Sequence, residues 1–316
     1  MEIFAIDSFA KPQALDSRLH SGYCATIGFF DGVHLGHRFL LEQVKHYAAL
    51  DSLQTMVITF SEHPRRVLNQ AYQPSLLTTR EERISLLSHE GLDACAVLQF
   101  SREMASLSAY EFMQKCLVEA LGVKTLVIGY DHHFGKKSAE GFLDYQRYGN
   151  ELGIQVVEAR PLTCGDYTVS SSLVRKSLEQ GNVVLAAQAL GRNYSLHGTV
   201  VRGHRVGGEI GFPTANLQPQ SSQLLVPGIG VYAGWAQVDG ETYGAMINIG
   251  RRPTLDNGDN VSIEAHLFDF SGNLYEKEIT LSFVEKMREE MKFANISVLV
   301  DQLNCDAAAA RRILFL

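Results

Sequence analysis

Five short apolar runs punctuate the first half of the chain: YCATIGFF (23–30), QTMVITF (54–60), DACAVLQF (93–100), KTLVIGY (124–130) and IQVVEA (154–159). They are rich in Val, Ile, Phe and Thr and lack strict apolar–polar alternation, as strands buried on both faces do. Amphipathic segments lie between them. In SLSAYEFMQKCLVEALG (106–122), Ser108 and Glu111 have capping-box spacing. Ala109, Phe112, Met113, Cys116, Leu117, Ala120 and Leu121 then follow the i, i+3, i+4, i+7 series, and Gly122 supplies a stop. Thr79 and Glu82 open another helix in the same way. Alternation of this kind predicts a doubly wound α/β sheet, with ligands outside the carboxyl ends of its strands.

The grammar changes near residue 187. YSLHGTVVRG, GVYAGWAQVDGETYGAMINIG and VSIEAHLFDFSGNLYEKEITLSFV are β-rich runs separated by turn residues. Asp239-Gly240 predicts a hairpin, and Ser271-Gly272-Asn273 supports another. Together they predict a small antiparallel β-barrel. From about Glu285 the tail returns to helical periodicity and is expected to form a C-terminal helical segment. A length of 316 residues suits two domains, expected at 1–186 and 187–316.

Composition narrows the function classes. The net charge is −7 and no Lys/Arg block stands out, which disfavours a nucleic-acid partner. The five cysteines form no CxxC pair, so neither a disulfide framework nor a zinc knuckle is expected. No window approaches 18 uninterrupted apolar residues, and the start lacks a signal-peptide pattern. The chain reads as cytoplasmic, with no membrane partner.

GFFDGVHLGH (28–37) spans the expected end of the first strand, at Phe29, a glycine-bearing turn, and the expected start of a helix near His37. Glycines let backbone approach an anion, a helix N-terminus favours negative charge, and His34 and His37 can both face one phosphate. A metal pair or two surface histidines at a turn is the plainer reading. Two other segments invite comparison. IGYDHHFGKK (128–137) fails as a P-loop: Gly129 and Gly135 have five residues between them, and Lys137 follows Lys136. His132 and His133 read as solvated loop residues. VSSSLVRKSLEQG (169–181) puts serines at a helix start with Arg175 one turn in, which suits N-capping or contacts to a triphosphate.

In the second half, GFPTAN (211–216) offers the Thr214 hydroxyl and the Asn216 amide oxygen, hard ligands of the kind Mg²⁺-ATP needs. A plain turn is the alternative. In VSIEAHLF, Val261, Ile263, Ala265 and Leu267 alternate on one face, while Ser262, Glu264 and His266 fall on the other. By pattern alone, Glu264 lies on a solvated strand face.

The first-half pattern resembles the HxGH signature of the nucleotidyltransferase superfamily. Taken with TFSEHP (59–64), IGYDHHFG, SSSLVR, GFPTAN, PGIGVYAG (227–234), NIGRRPT (248–254) and IEAHLFDF (263–270), the whole chain resembles the bacterial bifunctional riboflavin kinase/FAD synthetases. The resemblance implies a Rossmann-like nucleotidyltransferase domain followed by a riboflavin kinase barrel. It implies two reactions: riboflavin and ATP give FMN, then FMN and ATP give FAD and pyrophosphate, with Mg²⁺ as cofactor. It makes Glu264 the base for the ribityl hydroxyl, and His34 and His37 the holders of the ATP phosphates. It assigns nucleotide or flavin contacts to Gly28, Phe30, Asp31, Gly32, His63, Asp131, Ser171, Ser172 and Arg175. In the barrel it assigns them to Gly211, Pro213, Thr214, Asn216 and Arg288, with Thr214 and Asn216 as metal ligands. A helix-surface role is the alternative for Arg288. Two positions depart from the family pattern: Glu62 stands where Pro is usual, and Gly208-Glu209 where Gly-Arg is common. Two rival readings are an adenylyltransferase for another acceptor fused to an unrelated barrel, and a flavin or nucleotide sensor without turnover.

Overall fold

The computed structural model describes residues 1–6, 22–69, 71, 74–129, 134, 140–165, 167–203, 210–252 and 260–316. They form two compact units, Met1–Ser170 and Ser171–Leu316.

In the first unit the main strands are β1 (Glu2–Ile6), β2 (Tyr23–Ile27), β3 (Gln54–Phe60), β4 (Ala94–Leu98), β5 (Val123–Ile128) and β6 (Gln155–Glu158). All pair in parallel, in the order β1-β4-β3-β2-β5-β6. The expected doubly wound sheet is therefore present, and each of the five apolar runs carries one of its strands. The sixth strand, β1, has no counterpart among those runs. It is an edge strand of five residues that pairs only with β4, and its exposed alternate positions leave no buried apolar run to see. The order reverses at β2, which pairs with β3 on one side and β5 on the other. Such a reversal is where a doubly wound sheet opens a crevice. A short antiparallel pair, β7 (Thr163–Cys164) and β8 (Tyr167–Thr168), stands apart from this sheet.

Helix α1 (Leu35–Asp51) follows β2 directly. The short helix α2 (Pro64–Leu68) follows β3 and leads to α3 (Arg80–Ser88). The capping box at α3 forms as expected: Thr79 N–H donates to Glu82 Oε2 at 2.8 Å, and Glu82 N–H to Thr79 Oγ1 at 3.1 Å. Ser108 and Glu111 cap the later helix in the same way. That helix opens as an α-turn (Ala109–Phe112) and continues with π-helical bonding over Met113–Ala120. Its seven expected apolar positions are all buried, and Gly122 ends it at φ +65°.

In the second unit, helices over Ser171–Glu179 and Val183–Leu190 precede six further strands. These are β9 (Tyr194–Val201), β10 (Ala215–Pro219), β11 (Gly230–Val238), β12 (Glu241–Arg252), β13 (Asn260–Leu267) and β14 (Glu278–Arg288). They close into an antiparallel barrel in the order β10-β13-β12-β11-β14-β9. Closure removes sheet edges altogether. The boundary expected near residue 187 falls within the Val183–Leu190 helix, which packs on β9 and β14.

The Asp239-Gly240 hairpin is present. Both residues have positive φ, +51° and +83°, and Val238 pairs with Glu241 across them. Two expectations need correction. Ser271-Gly272-Asn273 is not a hairpin turn: it lies between β13 and β14, which are not neighbours in the barrel. The tail does not become helical at Glu285. Glu285–Arg288 completes β14, paired with β11 through two register shifts, and the C-terminal helix starts at Ile296. EKMREEMK contains good helix formers, but pairing to β11 overrides their local preference. The C-terminal helix, Ile296–Leu314, then lays Ala310 and Leu314 against Val231, Ala233, Met246 and Phe268 on the outer wall of the barrel.

Gly36 shows how tightly α1 is seated. A Cβ at this position would lie 2.6 Å from the Val169 carbonyl oxygen, a backbone atom that cannot swing aside as a side chain can. Gly36→Ala should therefore destabilise the first unit by about 1–3 kcal/mol, as other overpacking changes do. Thermal unfolding checks this, and an unchanged midpoint would mean that the Val169 segment yields freely.

Candidate active site

The β2–α1 loop carries its geometry in strained backbone. Phe30 and Val33 have φ of +57° and +39°, and Gly32 has +79°. A β-branched residue at positive φ is a genuine outlier, held only where its surroundings over-determine it. Asp31 supplies that determination. Its buried carboxylate accepts hydrogen bonds from Leu77 N–H at 3.0 Å, Thr78 N–H at 3.2 Å and the Thr78 hydroxyl at 3.2 Å. The Gly32 N–H donates to Thr78 Oγ1 at 3.1 Å. The loop is thus fastened to the segment that precedes α3.

His34 is the N-cap of α1, so the helix begins at Leu35, slightly earlier than expected. The His37 N–H donates to His34 Nδ1 at 3.2 Å. An accepting Nδ1 puts the proton of the neutral ring on Nε2. The two imidazoles stack with centroids 3.6 Å apart and planes 19° from parallel. The structure therefore brings His34 and His37 together at the N-terminus of a 17-residue helix, where backbone N–H groups and the dipole favour an anion. The Phe30 and His37 rings meet in an edge geometry with centroids 5.0 Å apart, and a Cβ on Gly28 would lie 3.1 Å from the Phe30 ring.

His63 is the N-cap of α2 and accepts from the Arg65 N–H at 3.2 Å. Its ring meets Phe29 at 4.7 Å. The guanidinium of Arg83 sits 4.1 Å from the centroid of the same Phe29 ring and donates to the Phe60 carbonyl at 2.6 Å. Burial pushes the pKa of Arg83 down to about 10, which leaves it a cation at neutral pH. Arg83 thus links the loop that follows β2 to the carboxyl end of β3. In sequence it reads as one more charge in REER, and only tertiary burial separates it from its neighbours. Burial also pushes the Cys24, Cys95 and Cys116 thiols up to about 12, 11 and 12, which disfavours them as nucleophiles. Asp131, His132, His133, Gly135–Lys137 and Gly208-Glu209 lie outside the described residues. Ser171 and Ser172 open a helix of the second unit, and Arg175 lies one turn into it.

The second site lies on the outer wall of the barrel. A cavity of about 230 Å³ is lined by Thr214, Asn248, Glu264, His266 and Arg288, with Leu303 of the C-terminal helix among its apolar lining. Strand register explains the grouping. Asn216 on β10 lies opposite Glu264 on β13, and Glu264 lies opposite Asn248 on β12. Asn248 lies opposite Val231 on β11, which lies opposite Arg288 on β14. Residues directly opposite share a face of the sheet, so this is one row across five strands. Thr214 enters from the turn before β10, and its hydroxyl donates to Glu264 Oε2 at 3.4 Å. His266 Nδ1 hydrogen bonds the Pro213 carbonyl at 2.8 Å and ties that turn to β13. Gly211 opens the turn at φ +84°.

Arg288 is on a strand, not on a helix surface. Its Nε reaches both Asp306 oxygens at 3.0 and 2.9 Å, and Nη2 donates to Oδ2 at 2.7 Å. Gln302 donates to Asp306 Oδ1 at 2.8 Å. Asp306 is 4% exposed, so this charge-assisted pair latches the C-terminal helix to the barrel beside the cavity. Asp306 went unseen in the sequence because AAAARR and its flanks read as an ordinary helix.

Family models for FAD synthetase and riboflavin kinase match residues 16–173 and 190–314. A bifunctional riboflavin kinase/FMN adenylyltransferase of Pseudomonas fluorescens is 36% identical over 292 residues, 92% of this chain and 93% of the relative. Proteins of the same description from Bacillus subtilis (36% over 295 residues, 90% of each chain) and Escherichia coli K12 (36% over 291 residues, 92% of each) are comparably similar. A crystal structure described as a macrolide-efflux protein from Streptococcus pneumoniae superposes with a TM-score of 0.87 at 29% identity, covering 98% of this chain and 99% of that one. No helix among the described residues is long and apolar enough to cross a membrane. With both family models matched in order and the relatives covered almost end to end, the chain belongs to the family of bifunctional riboflavin kinases/FMN adenylyltransferases.

Proposed function

We propose that this chain makes FAD from riboflavin in two ATP-dependent steps, using a separate site in each unit, and that it does so in the cytoplasm. The observation that carries this reading is the Thr214–Glu264 contact inside a cavity of one unit, with the stacked His34–His37 pair at a helix N-terminus in the other. The functional division is taken at 1–186 for adenylyl transfer and 187–316 for the kinase, close to the matched ranges.

In the kinase step, the Glu264 carboxylate accepts the proton of the terminal ribityl hydroxyl. That oxygen bonds to the γ-phosphorus of ATP as the bond to the β-phosphate oxygen breaks and ADP departs. Thr214 and Asn216 fit a Mg²⁺ ion: a hydroxyl and an amide oxygen beside a carboxylate form a hard-oxygen set. When bound, Mg²⁺ supplies charge neutralisation on the phosphates. Gly211 and Pro213 shape the turn that presents Thr214. Arg288, held by Asp306, keeps a cation at the cavity wall.

In the adenylyl step, a phosphate oxygen of FMN attacks the α-phosphorus of a second ATP, and pyrophosphate leaves. The Nε2–H of His34, His37 and the backbone of the Gly28–Gly32 loop, Phe30 and Asp31 included, hold the charge that develops. His63, beside Phe29, is the further contact this unit offers, and the family resemblance alone assigns nucleotide or flavin contacts to Asp131, Ser171, Ser172 and Arg175. None of these steps needs a covalent enzyme intermediate.

Three substitutions test the reading, each followed by chromatography of riboflavin, FMN and FAD. Glu264→Gln keeps the side-chain shape and removes the base; FMN formation should fall by ~10²–10⁴-fold while FAD formation from supplied FMN persists. A kinase rate within about threefold of the parent would remove Glu264 from that role. Thr214→Ala should raise the Mg²⁺ concentration that half-saturates the kinase, and an unmoved titration would leave Thr214 as a turn residue. His34→Asn retains a side-chain acceptor for the cap but loses the Nε2–H. Its thermal midpoint should match the parent, FAD formation should fall by ~10²–10³-fold, and FMN should accumulate. Undiminished FAD formation would mean that His34 only caps the helix.

A further inference from the structure

Glu264 has an asparagine directly opposite it on each side, and the two are not equivalent. Asn216, on β10, is 7% exposed and packed beneath Gly203: a Cβ on Gly203 would lie 2.3 Å from Asn216 Nδ2. Asn248, on β12, is half-buried and lines the cavity. No hydrogen-bond partner for the Asn248 amide occurs among the described residues, although Glu264, Thr214 and Arg288 around it all make one. Two residues further along the same face is Gly250. A Cβ there would lie 2.5 Å from Glu290 Oε1 and 3.3 Å from Asn248 Nδ2, so the absence of a side chain leaves room for the Glu290 carboxylate on the Asn248 side of the cavity without a hydrogen bond between the two.

A primary amide has two donors and an acceptor. Left without a partner in a half-buried cavity it is unfavourable, so its place there favours a ligand of matching polarity. Phosphate oxygens only accept, and a flavin ring is suited to the apolar wall. A chain of hydroxyl groups both donates and accepts. Opposite residues in an antiparallel pair hold their Cβ atoms about 4.5–5.5 Å apart. An amide that far from Glu264 reaches hydroxyls adjacent to the one Glu264 deprotonates.

We propose that Asn248 is a substrate-binding and specificity residue of the kinase site, which holds the hydroxylated side chain of the flavin so that its terminal hydroxyl meets Glu264. This inference rests on reading the barrel as the kinase. It gives Asn248 a different task from the metal-ligand role proposed for Asn216, although both lie opposite the same carboxylate residue.

Lumiflavin, which has the flavin ring and a methyl group in place of the hydroxylated chain, separates ring binding from chain binding. Flavin fluorescence titrations of full-length parent, Asn248→Leu and Asn248→Ser with riboflavin and with lumiflavin read the two directly. Asn248→Leu should weaken riboflavin roughly 5- to 100-fold, the effect of leaving substrate hydroxyls unpaired. Lumiflavin affinity and the KM for ATP should stay within about twofold. Asn248→Ser, with one hydroxyl, should recover part of the loss, and it reads the same contrast if the leucine variant folds poorly. Conversion of FMN to FAD by the same protein reports on the rest of the chain. Equal weakening of both flavins, an increased KM for ATP with riboflavin unaffected, or unchanged riboflavin binding would each overturn the proposal. A parent that binds riboflavin without phosphorylating it overturns the kinase reading alone, because the two-flavin comparison still reads Asn248. A parent that binds neither flavin overturns both.

Discussion

In the first unit, β2 pairs with β3 on one side and with β5 on the other, so the sheet grows in both directions from β2. The chain leaving β2 therefore meets no neighbouring connection and opens into a crevice. That loop must turn within a few residues to reach α1, and it does so with Phe30 and Val33 at positive φ. Each such residue costs on the order of 1–3 kcal/mol. The buried Asp31 carboxylate, with three donors from Leu77 and Thr78, offsets this by locking the loop in one conformation. The start of α1 depends on that lock. His34 can cap the helix, and His37 can stack on His34, only because the loop delivers the first turn to a fixed place.

The barrel solves a different problem by the same means. Its closure fixes every strand against two neighbours, so side chains far apart in sequence form one row. Asn216, Glu264, Asn248, Val231 and Arg288 come from five strands and share one layer of the wall. A shift by one residue in any strand would turn its member inward. The C-terminal helix covers this wall and is latched by Arg288 and Asp306, both largely buried. Breaking such a pair from one side leaves an uncompensated buried charge, typically at a cost of about 3–5 kcal/mol. The latch therefore holds a cation at the cavity and closes one side of it.

Neither proposed site needs a strongly basic chain to handle phosphate. Net charge is −7, yet the first site presents a helix N-terminus and two imidazoles, and the second, among the described residues, Arg288 neutralised by Asp306. Local backbone dipoles and a few placed side chains suffice for a small anion. A polymeric one would need a broad basic surface.

Local pattern alone establishes the strand–helix alternation, both capping boxes, the Asp239-Gly240 turn and the spacing of His34, His37, Thr214 and Glu264. These rest on neighbours within a few residues, where periodicity and turn chemistry act. The β-rich half and its closure are also legible there in general terms. Long-range pairing settles the rest. EKMREEMK reads as helix, but pairing with β11 makes its first half a strand and puts Arg288 on the cavity wall. Ser271-Gly272-Asn273 reads as a hairpin, but barrel order separates β13 from β14. β1 is too exposed at the sheet edge to leave a buried pattern. Arg83, Asp306 and Asn248 look like ordinary polar residues in the sequence, and burial, ion pairing or register distinguishes them. One cause underlies all of these: the deciding partner lies many residues away along the chain, and its approach is set by sheet pairing and packing that no local window contains.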